Sequence, residues 1–262
     1  MDKSEHSTKA GMTRQVSYAD IRERARRLLP EFSHMVATVP YERKGILNSE
    51  LLFFISSLPE PFTGRVFESG RARAQSTLIL SLALPNSHIF SVELDERSPD
   101  IPVAAARLQG RNNVTLLFGD SRILLPKLAK EGDIVLIDGP KMFRAVRLAI
   151  NMLRMARPLA VFIHDVSIET PERAFLNRFF PEALFSDRRD IAQITASIDV
   201  NATETLPPRA RLGGFDGAYG YGFALAYIPY IPGRPYTLLL LASYAFDILE
   251  RILRKMGMRR RI

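Results

Sequence analysis

The chain has 262 residues, 47% of them hydrophobic and 24% charged; this is globular composition and excludes a disordered polyelectrolyte or a low-complexity fibre. There is no cysteine, so a disulfide scaffold, a thiolate metal site and a cysteine nucleophile are excluded, and His6, His34, His88 and His164 are too scattered for a zinc cluster. The formal charge is +8, but Arg251, Arg254, Lys255, Arg259, Arg260 and Arg261 crowd the last twelve residues without an acid, leaving 30 basic against 28 acidic residues elsewhere. A body so close to neutral lacks the positive face of a nucleic-acid enzyme.

Residues 1–17 read as a polar arm without the apolar core of a signal peptide, which fits a cytoplasmic protein. Ser17-Tyr-Ala-Asp-Ile-Arg opens an amphipathic helix that Pro30 is expected to end. The arm and this helix make an N-terminal cap, residues 1–44. A second helix follows Asn48, with Asn48 or Ser49 as its cap and Pro59 and Pro61 closing it.

From there five short apolar runs alternate with helix-length segments. The runs are Arg65–Phe67, His88–Leu94, Asn113–Phe118, Asp133–Ile137 and Leu159–Ile163; the helices are Ala74–Leu84, Ile101–Leu108, Leu124–Lys130 and Phe143–Ala156. Strands apolar on both faces, alternating with helices, predict an α/β fold with a doubly wound, mostly parallel sheet. Pro171–Phe180 reads as helix, Ile191–Val200 as strand, 213–222 as a glycine-rich loop carrying Tyr219 and Tyr221, and Phe223–Ile228 as strand. Residues 45–230 thus form the main domain, and 236–262 an apolar and basic C-terminal helix.

In such a sheet, ligands bind where the strands end. The first strand is followed by Glu68-Ser-Gly70-Arg-Ala-Arg-Ala-Gln-Ser76-Thr77, the second ends in Glu93, the third runs into Gly119-Asp120-Ser121, the fourth into Asp138-Gly-Pro-Lys141 and the fifth into His164-Asp165. Every strand brings an acid, or its neighbours, to one edge. Gly70 allows close backbone approach, and Glu93, 23 residues later, is placed to accept both hydroxyls of a ribose. A dinucleotide dehydrogenase needs more glycines at the helix start, whereas the next glycine here is Gly110.

Over residues 45–166 these motifs resemble the class I S-adenosylmethionine-dependent methyltransferases, most of all their O-methyltransferase branch. There the first motif reads Glu-x-Gly-x-x-x-Gly-x-Ser-Thr. The resemblance implies that S-adenosylmethionine lies along the Glu68–Gly70 loop, with Ser76 and Asp138 on the cofactor side, Glu93 on the ribose, and Asp120 and Ser121 at the adenine edge. It also implies that Lys141, three residues after Asp138, takes the proton of the acceptor hydroxyl; His164, beside Asp165, is the other candidate base. A cationic neighbour would disfavour the ammonium form of Lys141. Ala74 stands where the motif has its second glycine. Asp138 and Asp165 can share Mg²⁺, although Val166 replaces the Asn that metal-dependent members carry there. Gly139 and Lys141 differ from the Pro-Pro-aromatic clamp of enzymes that methylate nucleic-acid amines.

The expected activity is methyl transfer to a hydroxyl of a small molecule or of a glycan or lipid-linked precursor. The alternative is a non-catalytic, membrane-tethered interaction protein on the same fold, to which Ala74 and Val166 would belong. The C-terminal helix and its basic end fit an anionic membrane surface, which would make the protein peripheral there, or packing on the domain or on a second subunit in a homodimer. The cluster Arg22, Arg24, Arg26 and Arg27 reads as a solvated helix face.

Overall fold

The computed structural model describes residues 15–42, 45–199 and 224–256. Seven strands form one sheet: β1 (Arg65–Ser69), β2 (His88–Glu93), β3 (Val114–Phe118), β4 (Ile134–Ile137), β5 (Ala160–Ile163), β6 (Leu184–Phe185) and β7 (Ala226–Pro229). Their order is β3-β2-β1-β4-β5-β7-β6; the first five are parallel, and β7 runs antiparallel to both β5 and β6. The reversal of order at β1 and β4 makes the switch point at which a crevice opens outside the strand ends.

The sheet is buried on both faces because its strands alternate between two cores. Phe67, Val135, Ile137, Val161 and Ile163 pack with α6 (Phe143–Met155), α7 (Pro171–Phe179) and α9 (Tyr236–Lys255). Val66, Ile134, Leu136, Ala160 and Phe162 pack with α1 (Tyr18–Val36), α2 (Asn48–Ser56) and α3 (Gln75–Ala83), together with Ile191 of α8 (Arg189–Thr195). The period of two follows from successive side chains pointing to opposite faces. Two further helices, α4 (Ile101–Arg107) and α5 (Ser121–Leu128), complete the crossovers.

Several expectations are corrected. α1 runs through Pro30 to Val36, because the ring and the carbonyl it frees at Arg26 are on the exposed side while Phe32 and Val36 remain buried beyond it. The Ser17 cap is as expected: Ser17 N–H donates to Asp20 at 2.9 Å and Asp20 N–H to Ser17 Oγ at 3.3 Å. The strand expected over Ile191–Val200 is not found over its described residues, 191–199: α8 and a 3-10 turn over Ala196–Asp199 take that place, with Ile191, Ala192 and Thr195 buried at helical spacing. Tertiary packing overrides the β-branched composition there.

Neither Asn48 nor Ser49 caps α2 with its side chain. Glu50 accepts the Leu47 N–H at 3.0 Å, and Asp199, 150 residues on, accepts the Ser49 N–H at 3.2 Å. The arginines of α1 are also more than a solvated face: Arg24 donates to the Leu58 carbonyl, Arg27 pairs with Glu60 and Arg22 with Asp190. The loop 213–222 with Tyr219 and Tyr221, the arm 1–14 and the basic residues after 256 lie outside the described residues.

Candidate active site

Parallel strands deliver their following loops to one edge. The Ser69 carbonyl accepts the N–H groups of Asp138 and Gly139 at 3.0 and 3.2 Å, so the β1 and β4 loops are tied together. Gly70 sits between them at φ +87°, and a Cβ there would lie 2.9 Å from the Gly139 nitrogen. Glycine is thus required by conformation and by contact. Ala72 and Ala74 follow at φ 45° and 64°. Ala74, in the position of the second motif glycine, holds the left-handed conformation a glycine would adopt freely, at a cost of roughly 1 kcal/mol.

The acids of this edge differ in what they do. Glu68 does not reach the crevice. Its buried carboxylate accepts from Ser76, Thr77 and Ser91, and burial raises its pKa despite those three hydroxyls. Glu68 and Ser76 therefore brace the β1 loop from beneath. Glu93 remains partly open; it accepts the Ala72 N–H at 2.9 Å and the Leu94 N–H at 2.8 Å, closing the β1 loop against β2. Asp120 caps α5 through the Arg122 N–H and pairs with the Arg122 guanidinium at 2.6 Å, which holds its pKa down. Ser121 Oγ donates to the Gly139 carbonyl at 3.1 Å, linking the β3 and β4 loops.

The β4 and β5 loops bring four charged groups into one network. Lys141 Nζ lies 2.5 Å from Asp138 Oδ1 and 2.7 Å from Asp165 Oδ2. His164 Nδ1 lies 2.6 Å from Asp138 Oδ1, and its Nε2 lies 3.1 Å from Glu50 Oε2 of α2. Burial alone would neutralise these groups, but their partners outweigh it. His164 is raised well above its usual value by Glu50 and Asp138, and Asp138 is held down to about 2 by His164 and Lys141. Lys141 is raised by Asp138 and Asp165, so in this arrangement its ammonium form is favoured, opposite to the sequence expectation. The cause is the pair of carboxylates, which spacing along the chain does not show.

Lys141 is half-exposed, whereas His164 is buried with both ring nitrogens engaged. Of the two candidate bases, Lys141 faces the opening. Asp138, His164 and Asp165 each offer a ligand atom within 4.8 Å of the others. As a magnesium site the set fits poorly, because the Lys141 ammonium already bridges the two carboxylates a cation would need.

Three participants were not legible as such. Glu50 is buried, the one charged residue of α2, and reaches His164 across 114 residues. Asp199 lies beneath the N-terminus of α2; burial and the nearby Glu50 push it up to about 7, against the pull of Ser49. Arg71 is buried at the crevice, donating from Nη1 to the Ser91 carbonyl at 2.8 Å, with its guanidinium 4.9 Å from the Phe118 ring centroid. Its Nε and Nη2 have no partner among the described residues. A charged residue inside an apolar or glycine-turn segment was the available signal for Glu50 and Arg71.

No protein-family model matches the chain, and no curated protein matches it. Among solved structures it is similar to the methyltransferase PaMTH1 of Podospora anserina, crystallised with SAH, at 15% identity over 78% of this chain and 87% of that one, TM-score 0.44. It is also similar to a putative O-methyltransferase from Klebsiella pneumoniae at 20% identity, over 80% and 90% of the two chains, TM-score 0.42. A third likeness is to the O-methyltransferase TomG of Streptomyces achromogenes, involved in tomaymycin synthesis and crystallised with SAM, at 19% identity over 82% and 92%, TM-score 0.40.

Proposed function

We propose that this protein transfers a methyl group from S-adenosylmethionine to a hydroxyl of a small molecule or of a glycan or lipid-linked precursor. The observation that carries this reading is the shared edge, where Glu93 closes the β1 loop and Lys141 stands between Asp138 and Asp165. The residues fit such a cofactor: Arg71 has two buried N–H donors to spare, and Glu93 is partly open at the end of β2. Glu93 would take the ribose hydroxyls as a two-oxygen acceptor, and Arg71 would donate to an acceptor group of the nucleoside or amino-acid part.

When bound, S-adenosylmethionine supplies an electrophilic methyl group on a positively charged sulfur. Asp138 and Asp165 hold Lys141 at the opening, which fixes where an acceptor hydroxyl can sit; in a displacement reaction such positioning supplies much of the rate. Lys141 Nζ donates to the acceptor oxygen in the resting state. A positive charge arriving nearby weakens its hold on its proton, which can leave to water from the half-exposed Nζ. Nζ can then take the hydroxyl proton as the oxygen attacks. Glu50 and Asp138 keep His164 protonated, so His164 serves to orient Asp138.

Calorimetry with S-adenosylmethionine tests the cofactor, and mass spectrometry of extracts incubated with methyl-labelled cofactor tests the reaction. The expected results are saturable one-site binding and a labelled oxygen-methylated product. A folded protein that binds no S-adenosylmethionine would overturn the reading.

A further inference from the structure

α9 presents two unlike faces. Tyr236, Leu239, Ser243 and Phe246 turn inward onto α6 and α7, with Phe246 5.9 Å from Phe143 between ring centroids. Outward, Leu238, Leu241, Tyr244, Ile248, Leu249 and Ile252 are each between 47% and 64% exposed. At 100° per residue they cover an arc of roughly 140°. This is a continuous apolar stripe on a helix of 20 residues, too extensive to be scattered surface hydrophobes.

The charges of the helix are sorted as sharply. Its acids, Asp247 and Glu250, are partly buried and turned away from the stripe; Asp247 is 3.1 Å from Arg147 of α6 and 2.9 Å from Arg251. Among the described side chains of the helix, the exposed charged groups are Arg251, at the border of the stripe, and Lys255, at its C-terminal end; Arg259, Arg260 and Arg261 follow in the sequence. Among the described residues, the outward face therefore combines apolar side chains with cations and no exposed acid. No helix among the described residues is long and apolar enough to cross a membrane.

We propose that the outer face of α9 binds the surface of an anionic membrane, lying in the plane of the interface with Leu241, Ile248 and Ile252 inserted and Arg251 and Lys255 on lipid phosphates. Charge complementarity selects this occupant. A second copy placed in parallel would bring the two basic ends together, and an antiparallel one would offer them few acids. Long basic side chains beside an apolar stripe can extend to the headgroups while their stems stay in the apolar layer. α9 packs beside the start of α6, just after Lys141, so binding would bring the sheet edge near the bilayer. The surface stands apart from the methyl-transfer reading, and its test involves no cofactor.

The test is co-sedimentation of the full chain with vesicles of phosphatidylcholine alone and with added phosphatidylglycerol, at low and high salt. Binding is expected to the anionic vesicles only, falling as salt rises and by roughly fivefold for each basic residue removed at the surface. A Leu241→Gln/Ile248→Gln/Ile252→Gln variant changes exposed positions only and should melt like the parent while losing binding. Sedimentation analysis of the free protein runs beside it. Indifference to anionic vesicles at low salt overturns the proposal, as does equal binding to neutral ones. A dimer that the triple variant dissociates, with no vesicle binding, assigns the face to a second copy instead.

Discussion

The two ends of the sheet use similar residues to opposite effect. At the end where the strands begin, Asp133 takes Arg65 through two hydrogen bonds of 2.9 and 2.6 Å and the Lys130 N–H at 2.6 Å, while the Asn113 amide bonds Ser81, Leu84 and Ser87. Its turns hold positive φ at Gly110 and Gly132 and at one non-glycine, Arg157, against four non-glycines at the other end. At the end where the strands finish, Asp138 has two cationic partners that each have a second carboxylate, Arg71 keeps unpartnered donors, and Ala72, Ala74, Met142 and Asp165 all hold positive φ. One end is closed by satisfied pairs. The other keeps strain and shared charges, which persist where surrounding structure holds them and suit the edge at which we propose the cofactor binds.

The largest test sets the two aspartates against each other. Asp138→Ala leaves His164 and Lys141 short of a carboxylate in a mostly buried place and should cost about 3–5 kcal/mol of stability, with loss of methyl transfer. Asp133→Ala should cost about 2 kcal/mol by leaving Arg65 and the Lys130 N–H unpaired, yet leave cofactor affinity unchanged. Urea denaturation and calorimetry on both variants would refute the contrast if Asp133→Ala also abolished binding.

Lys141→Met should lower turnover by roughly a hundredfold or more while cofactor binding persists. If His164→Gln is the damaging change and Lys141→Met is silent, the proton acceptor is misassigned. Glu93→Ala should weaken S-adenosylmethionine binding by about 1.5–3 kcal/mol, through loss of a charge-assisted acceptor. Calorimetry that finds equal affinity for this variant would remove Glu93 from the cofactor site.

The pH dependence of stability follows from the same network. Asp138 is depressed, so its contribution is present above its ordinary value near 4 and is lost as the pH falls toward about 2. His164 is raised, so its contribution is full below about 6.5 and is lost as the pH rises through its elevated value. Melting temperatures across pH should form a dome in the parent. The alkaline side should flatten in Glu50→Gln, which removes the leading cause of the His164 shift; an unchanged profile would mean that Glu50 is not coupled to His164.

The five parallel strands were legible because each is an apolar run between helix-length segments, and periodicity is local information; β6, two residues long, carries no such signal and was not expected. The edge was legible for the same reason: Glu93, Asp138, Lys141 and Asp165 follow their strands directly. What escaped was non-local. Asp199 at the start of α2, Glu50 against His164 and Asp165 against Lys141 join residues that only the folded chain brings together. Pro30 misled because packing beyond it, at Phe32 and Val36, holds the helix on while the ring and the freed carbonyl face water, which a sequence does not state.

The smallest effect probes the strain itself. Ala72 is exposed at φ 45°, and its N–H is held by Glu93. Glycine would relieve about 1 kcal/mol of left-handed strain but add up to about 1 kcal/mol of chain entropy to the unfolded state, so Ala72→Gly should shift stability by less than about 0.5 kcal/mol. Gly132 is the control from the opposite edge: it sits at φ +85° with nothing near its would-be Cβ, so Gly132→Ala meets strain without steric conflict and should cost about 1 kcal/mol. The informative readout is affinity. If Ala72 stiffens the β1 loop in a ligand-ready shape, Ala72→Gly should weaken S-adenosylmethionine binding by a few-fold while the melting temperature barely moves, since the loop must then be ordered on binding. Gly132→Ala should do the reverse, lowering the melting temperature and leaving affinity alone. Equal affinity in Ala72→Gly would mean that Glu93 alone holds the loop, and that the alanine at this turn is tolerated rather than used.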